Sequence, residues 1–217
     1  MNTRVKICCI ASIEEAKLAI KYGVDAIGLV GNMPSGPGVI EDATIAQIAK
    51  FAPPPIATFL LTSETESEKI ISHQKKVNTN TIQLVDEVHP EAYSIIRNSL
   101  PAVKIVQVIH VIDEASIELA ISISKHVDAI LLDSGNPNLK VKELGGTGRT
   151  HNWKLSRKII ESVSIPIFLA GGLNPDNVVE AVETVSPFGV DVCSGLRTNG
   201  YLDENKVEKF MKVISNC

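Results

Sequence analysis

The stretch "IPIFLAGGLNPDNVVEAVETVSPFGVDVCSG", residues 165–195, decides the fold. A short apolar run (Ile165 to Ala170) ends in paired glycines. It is followed by a helix-period segment, "NPDNVVEAVETV", and then by a second apolar run, "GVDV". A strand, a glycine turn, a helix and another strand within thirty residues form one unit of a parallel sheet. The same unit recurs on the N-terminal side. "RVKICCI" precedes "SIEEAKLAIKYG", where Ser12 and Glu15 have capping-box spacing and Gly23 is placed to stop the helix. "DAIGLVG", "PPIATFLLT", "TIQLVD", "VKIVQVIHV" and "DAILLDS" each lead into a further helix-period segment.

About eight strand–helix units with no linker or composition break predict an α/β chain. The expected fold is a single-domain (β/α)8 TIM barrel over residues 1–217. An open doubly wound sheet is the runner-up, and the absence of a GxGxxG after the first strand counts against its dinucleotide-binding form. The chain has 44% hydrophobic residues, 21% charged residues and a net charge of −4. No basic surplus is available for nucleic acid, and no apolar run is long enough to predict a membrane span. A cytoplasmic monomer or homodimer acting on a small molecule is expected. The four cysteines, Cys8, Cys9, Cys193 and Cys217, form no CxxC pair, so no metal site is predicted.

A (β/α)8 barrel carries its chemistry at the C-terminal strand ends. Those ends hold Cys8, Cys9, Asp86, His110, Asp133, Ser134, Asp191 and Cys193. Gly171, Gly172 and Leu173 after the seventh strand, with Ser194 and Gly195 after the eighth, form two adjacent loops suited to phosphate. The alternative is that Gly171 and Gly172 only turn the chain into a helix capped by Asn174. Asp133 shares strand parity with Leu131 and Ala129. It is either a general acid above an apolar layer or a cap for the next loop. Lys6 and Cys8 share the inward face of the first strand, while Val5, Ile7 and Cys9 share the face expected to pack on helices.

Taken in order, these segments resemble the phosphoribosylanthranilate isomerase family. The residues that carry the resemblance are "RVKIC", "LLDS", "GGTGRTHNW" at 145–153, "LAGGLNPDNV" and "GVDVCSG". The resemblance implies an Amadori rearrangement in tryptophan biosynthesis, with Cys8 as general base, Asp133 as general acid, and neither metal nor organic cofactor. It also implies that Asp191 holds a sugar hydroxyl or the amine. The phosphate would rest on the amides of Gly172, Leu173, Ser194 and Gly195.

The sequence departs from that family on one wall. Gly38 stands where an arginine for the anthranilate carboxylate is expected, and Val85 where a histidine is. His110 stands where the fifth strand often has an arginine, and Cys9-Ile10-Ala11 replaces the usual glycine and hydroxyl. Arg197, Lys6 and Arg149 are candidate replacement anchors. The rivals are an isomerase acting on another N-substituted phosphoribosylamine, a phosphate-binding lyase or synthase, and a non-catalytic sugar-phosphate binder.

Overall fold

Eight short parallel strands alternate with eight helices in a computed structural model that describes residues 3–34, 36–135 and 148–215. The strands are β1 (Arg4–Ile7), β2 (Ala26–Val30), β3 (Ala57–Thr62), β4 (Thr81–Leu84), β5 (Lys104–His110), β6 (Ala129–Asp133), β7 (Ile167–Leu169) and β8 (Gly189–Val192). Each pairs with its sequence neighbour, and β8 pairs with β1 to close the barrel. The helices are α1 (Ile13–Lys21), α2 (Asp42–Phe51), α3 (Ser67–Val77), α4 (Pro90–Ser99), α5 (Ala115–Ile123), α6 (Trp153–Ser162), α7 (Val178–Val185) and α8 (Glu204–Ile214). A 3-10 turn (Ser194–Leu196) and a small hairpin, β9 (Arg197–Thr198) with β10 (Tyr201–Leu202), separate β8 from α8.

The near-continuous apolar strands follow from burial on both faces. Outward residues such as Val5, Ile7, Ile27, Leu29, Ile82 and Ile130 pack against the helices in the larger core. Inward residues, among them Phe59, Val106, Val108, Leu131 and Phe168, fill the barrel, where Phe59 and Phe168 meet edge-on at 6.0 Å. One charged pair lies in that interior. Lys6 on β1 and Asp191 on β8 sit opposite each other in register, and Lys6 Nζ lies 2.8 Å from Asp191 Oδ1.

The predicted cap of α1 forms with a shift. Ser12 Oγ accepts from the Glu15 amide, but Glu15 reaches back to the Ala11 amide. Helix α7 begins later than the sequence suggests. Asn174 Oδ1 accepts from the Asp176 amide in a local turn, Asn177 Oδ1 accepts from the Asn174 amide, and the helix opens at Val178.

Candidate active site

One cavity opens at the C-terminal mouth of the barrel. Cys8, Asp133 and Asp191 line it from β1, β6 and β8, and Gly171, Gly172, Leu173 and Ser194 line it from the last two loops. Of the segment resembling the family's glycine loop, residues 145–147 lie outside the described residues, and Gly148 lines the cavity. Cys217 also lies outside them.

Asp133 ends β6 beside His110 of β5, its partner in register. The carboxyl is 7% exposed and accepts a hydrogen bond from the Ser134 amide at 2.7 Å. Burial pushes its pKa up, and that hydrogen bond and His110 only partly oppose the shift. Burial also pushes the His110 imidazole down, against the pull of Asp133. His110 does not line the cavity that holds Cys8 and Asp133. It faces an adjoining groove with Asp86, His89 and Asp113, and its Nε2 lies 3.4 Å from the Val85 carbonyl.

Cys8 continues the β1 ladder, its amide donating to the Val192 carbonyl, and its side chain joins the inner core. Gly28 on β2 makes room for it. A Cβ there would lie 3.0 Å from Cys8 Sγ and 3.1 Å from Lys6 Nζ. Lys6 is fully buried beneath the mouth and is not part of the cavity wall. Burial would push its ammonium down, but Asp191, Cys8 and Cys9 outweigh that and hold it raised. At Asp191 burial wins instead, so its carboxyl stays raised despite Lys6.

The two glycine loops fit into each other. Gly171 and Gly172 have φ of +85° and +64°, a region that glycine enters without strain. A Cβ on Gly172 would lie 2.6 Å from the Arg149 carbonyl carbon, and one on Gly195 would collide with the Leu173 carbonyl oxygen. Gly195 thus sits behind the cavity wall as packing for the other loop. Among the described residues, the amides of Gly171, Gly172, Leu173, Ser194 and Gly195 donate to no protein acceptor. Four of these unspent donors belong to cavity-lining residues, with Gly195 behind them, and such a cluster is suited to an anion.

Besides His110 and Lys6, which lie off the cavity wall, two further expectations are revised. Cys9 does not pack against the helices. The chain leaves β1 after Ile7 and takes a left-handed turn at Cys9 (φ +63°), which returns the thiol to the inner core and the cavity wall. Arg197 does not reach the cavity. Its guanidinium grips both Glu15 carboxylate oxygens at 2.9 Å, with side chains only 10% and 13% exposed, and it also donates to the Cys9 and Gly200 carbonyls. It ties the β8 loop to α1.

The opposite wall is apolar, built from Val30, Met33, Leu61, Val85, Val108 and Leu131. Gly38, with φ +79°, packs against Cys9, and a Cβ there would lie 2.5 Å from Cys9 Cβ. Sequence reading missed Gly28 and Gln83. A glycine within the apolar run "AIGLV" signals close approach, and Gln83 is an amide side chain set between Ile82 and Leu84 in "TIQLV". Gln83 is buried in the cavity wall, and its Oε1 has no partner among the described residues.

Fold and site together define a barrel enzyme with a thiol, a carboxyl and a rim of unspent amides around one mouth. The chain belongs to the N-(5'-phosphoribosyl)anthranilate isomerase family, whose model matches residues 5–213. It is 36% identical to N-(5'-phosphoribosyl)anthranilate isomerase 2 of Methanosarcina mazei, covering 98% of this chain and 94% of that one. A Haloarcula marismortui relative of the same name is 34% identical over 97% and 95% of the two chains. The Thermotoga maritima phosphoribosyl anthranilate isomerase structure superposes with a TM-score of 0.84 at 30% identity, over 99% of this chain and all of that one. Another isomerase structure of this name, in complex with reduced 1-(o-carboxyphenylamino)-1-deoxyribulose 5-phosphate, superposes at 0.82 with 28% identity, over 99% of this chain and all of that one.

Proposed function

We propose that this protein converts N-(5'-phosphoribosyl)anthranilate to the 1-deoxyribulose 5-phosphate aminoketose, an isomerisation in tryptophan biosynthesis. The observation that carries the reading is the single cavity shared by Cys8, Asp133 and the two loops of unspent amides. The phosphate rests on the amides of Gly172, Leu173 and Ser194, with Gly195 and Gly171 supporting the loops. This fixes the ribose across the mouth. Asp133, whose carboxyl pKa is pushed up by burial toward the range of a general acid, protonates the furanose ring oxygen as the C1–O bond breaks. The open-chain iminium then loses its C2 proton to the Cys8 sulfur. The resulting enolamine tautomerises to the ketone. Asp191 keeps one oxygen on Lys6 and offers the other to a sugar hydroxyl or the amine.

The aromatic ring lies on the apolar wall of Val30, Met33, Leu61 and Val85. No lysine or arginine lines that cavity among the described residues, an observation that favours a related N-substituted phosphoribosylamine as the second reading. The deciding assay is isomerisation of freshly generated phosphoribosylanthranilate by wild type, Cys8→Ala and Asp133→Asn. Wild-type turnover that each substitution lowers by about 10²-fold or more supports the proposal. Absence of wild-type turnover, with the aminoketose phosphate still bound, moves the substrate to a neutral aglycone.

A further inference from the structure

The mouth carries a second thiol system besides Cys8. Cys9 Sγ and Cys193 Sγ lie 2.6 Å apart, much closer than two unlinked sulfurs normally rest, although they are 184 residues apart in the chain. Both line the cavity, Cys9 buried and Cys193 partly exposed, so a small reagent reaches the pair through the open mouth. Their backbones are held from both sides. Arg197 donates to the Cys9 carbonyl, Gly38 packs against Cys9 Cβ, and the neighbouring Cys8 amide is laddered to Val192.

We infer that Cys9 and Cys193 form a thiol–disulfide exchange site, which a low-molecular-weight disulfide closes into a Cys9–Cys193 cross-link over the β1–β8 seam. The reaction balances in two exchanges. The Cys193 thiolate attacks one sulfur of the reagent RSSR, giving a Cys193–SR mixed disulfide and one thiolate RS⁻. Cys9 then loses its proton, attacks the Cys193 sulfur and expels the second RS⁻. The protein gives up two protons and two electrons, and one RSSR becomes two RSH. The hydrogen-bonded contact between the two sulfurs favours this order of attack. The hydrogen bond shared with Cys9 and the nearby Arg197 guanidinium pull the Cys193 thiol down. The same bond, the contact with Cys8 and burial push Cys9 up.

The linked sulfurs join the first and last strands, where the barrel closes. A cross-link enclosing so long a loop restricts the unfolded chain strongly. The oxidised protein is therefore expected to melt roughly 5–15 °C above the reduced one.

The test incubates the reduced full-length protein with oxidised glutathione and maps tryptic peptides without reduction. The expected product is a cross-link between Ile7–Lys17 and Ile159–Arg197, with loss of two free thiols, reversal by dithiothreitol and a raised Tm. Cys9→Ser and Cys193→Ser lose the cross-link, and Cys8→Ser keeps it. Persistence in Cys9→Ser with loss in Cys8→Ser would reassign the partner to Cys8 and overturn the proposal. Stable glutathione adducts on separate cysteines, or no reaction, overturn it too. The peptide readout needs no substrate, so its outcome is independent of the isomerase assay.

Discussion

Asp133 carries opposite demands from chemistry and from folding. A carboxyl in an apolar interior keeps its proton to higher pH, which is what a general acid needs, but its ionised form is costly there. Because the native pKa is raised above the unfolded value, the native state binds the proton more tightly. The stabilisation this gives is complete below about pH 4 and is lost as pH rises through the raised native value. Asp133→Asn removes the charge with little change of shape. The variant is expected to lose about 10²–10⁴-fold in turnover while melting higher than wild type at pH 7. Thermal melts across pH give the check: the gain should shrink toward zero near pH 4. A variant that melts lower at every pH would mean that the carboxylate is stabilised in the fold by its neighbours.

Between elements, the decisive contact is Arg197 with Glu15, which joins the β8 loop to the first turn of α1. Glu15 also accepts from the amides of Ala11 and Leu202, so one carboxylate organises three segments. Arg197→Ala leaves that carboxylate half-served in a mostly buried place. A loss of about 2–4 kcal/mol is expected, lowering Tm by roughly 5–15 °C, with KM for the phosphorylated substrate little changed. A KM rise at unchanged Tm would instead return Arg197 to the substrate.

This contact shows where sequence reading stops. Strand parity is a local, period-2 property, and it put Lys6 and Cys8 on the face that fills the barrel, together with Asp133 and Asp191. It failed at Cys9, because the chain had already left β1 and turned left-handed, and a parity count assumes an unbroken strand. It could not pair Arg197 with Glu15 or Cys9 with Cys193. Each pair meets only because β8 closes on β1, and the intervening separation of more than 180 residues leaves no periodic trace.

For the whole molecule, two half-buried histidines and two buried carboxyls set how stability responds to mild acid. His151 lies in the approach to α6, its Nε2 2.7 Å from Ser156 Oγ, and burial lowers its pKa to about 4. The unfolded chain takes up that proton near pH 6.5, and the native state resists it until about pH 4. Its contribution is thus fully present above about pH 6.5 and drains away as pH falls to about 4, amounting to about 3 kcal/mol. His110 is also lowered by burial and pulls the same way, whereas Asp133 and Asp191, both raised, pull oppositely from about pH 4 up to their raised native values. The depressed carboxylates, such as Asp128 and Asp203, act only below about pH 4.5. Between pH 6.5 and 4.5 the slope of unfolding free energy against pH is therefore the balance of the two histidines against the two raised carboxyls. His151→Gln keeps a polar side chain beside Ser156 without a titrating group, and urea unfolding across that range should show a slope of stability against pH lower than wild type, in the signed sense, by up to about one proton. An unchanged slope would mean that His151 protonates without opening the fold, and would assign the acid limb to His110 and its coupling with Asp133.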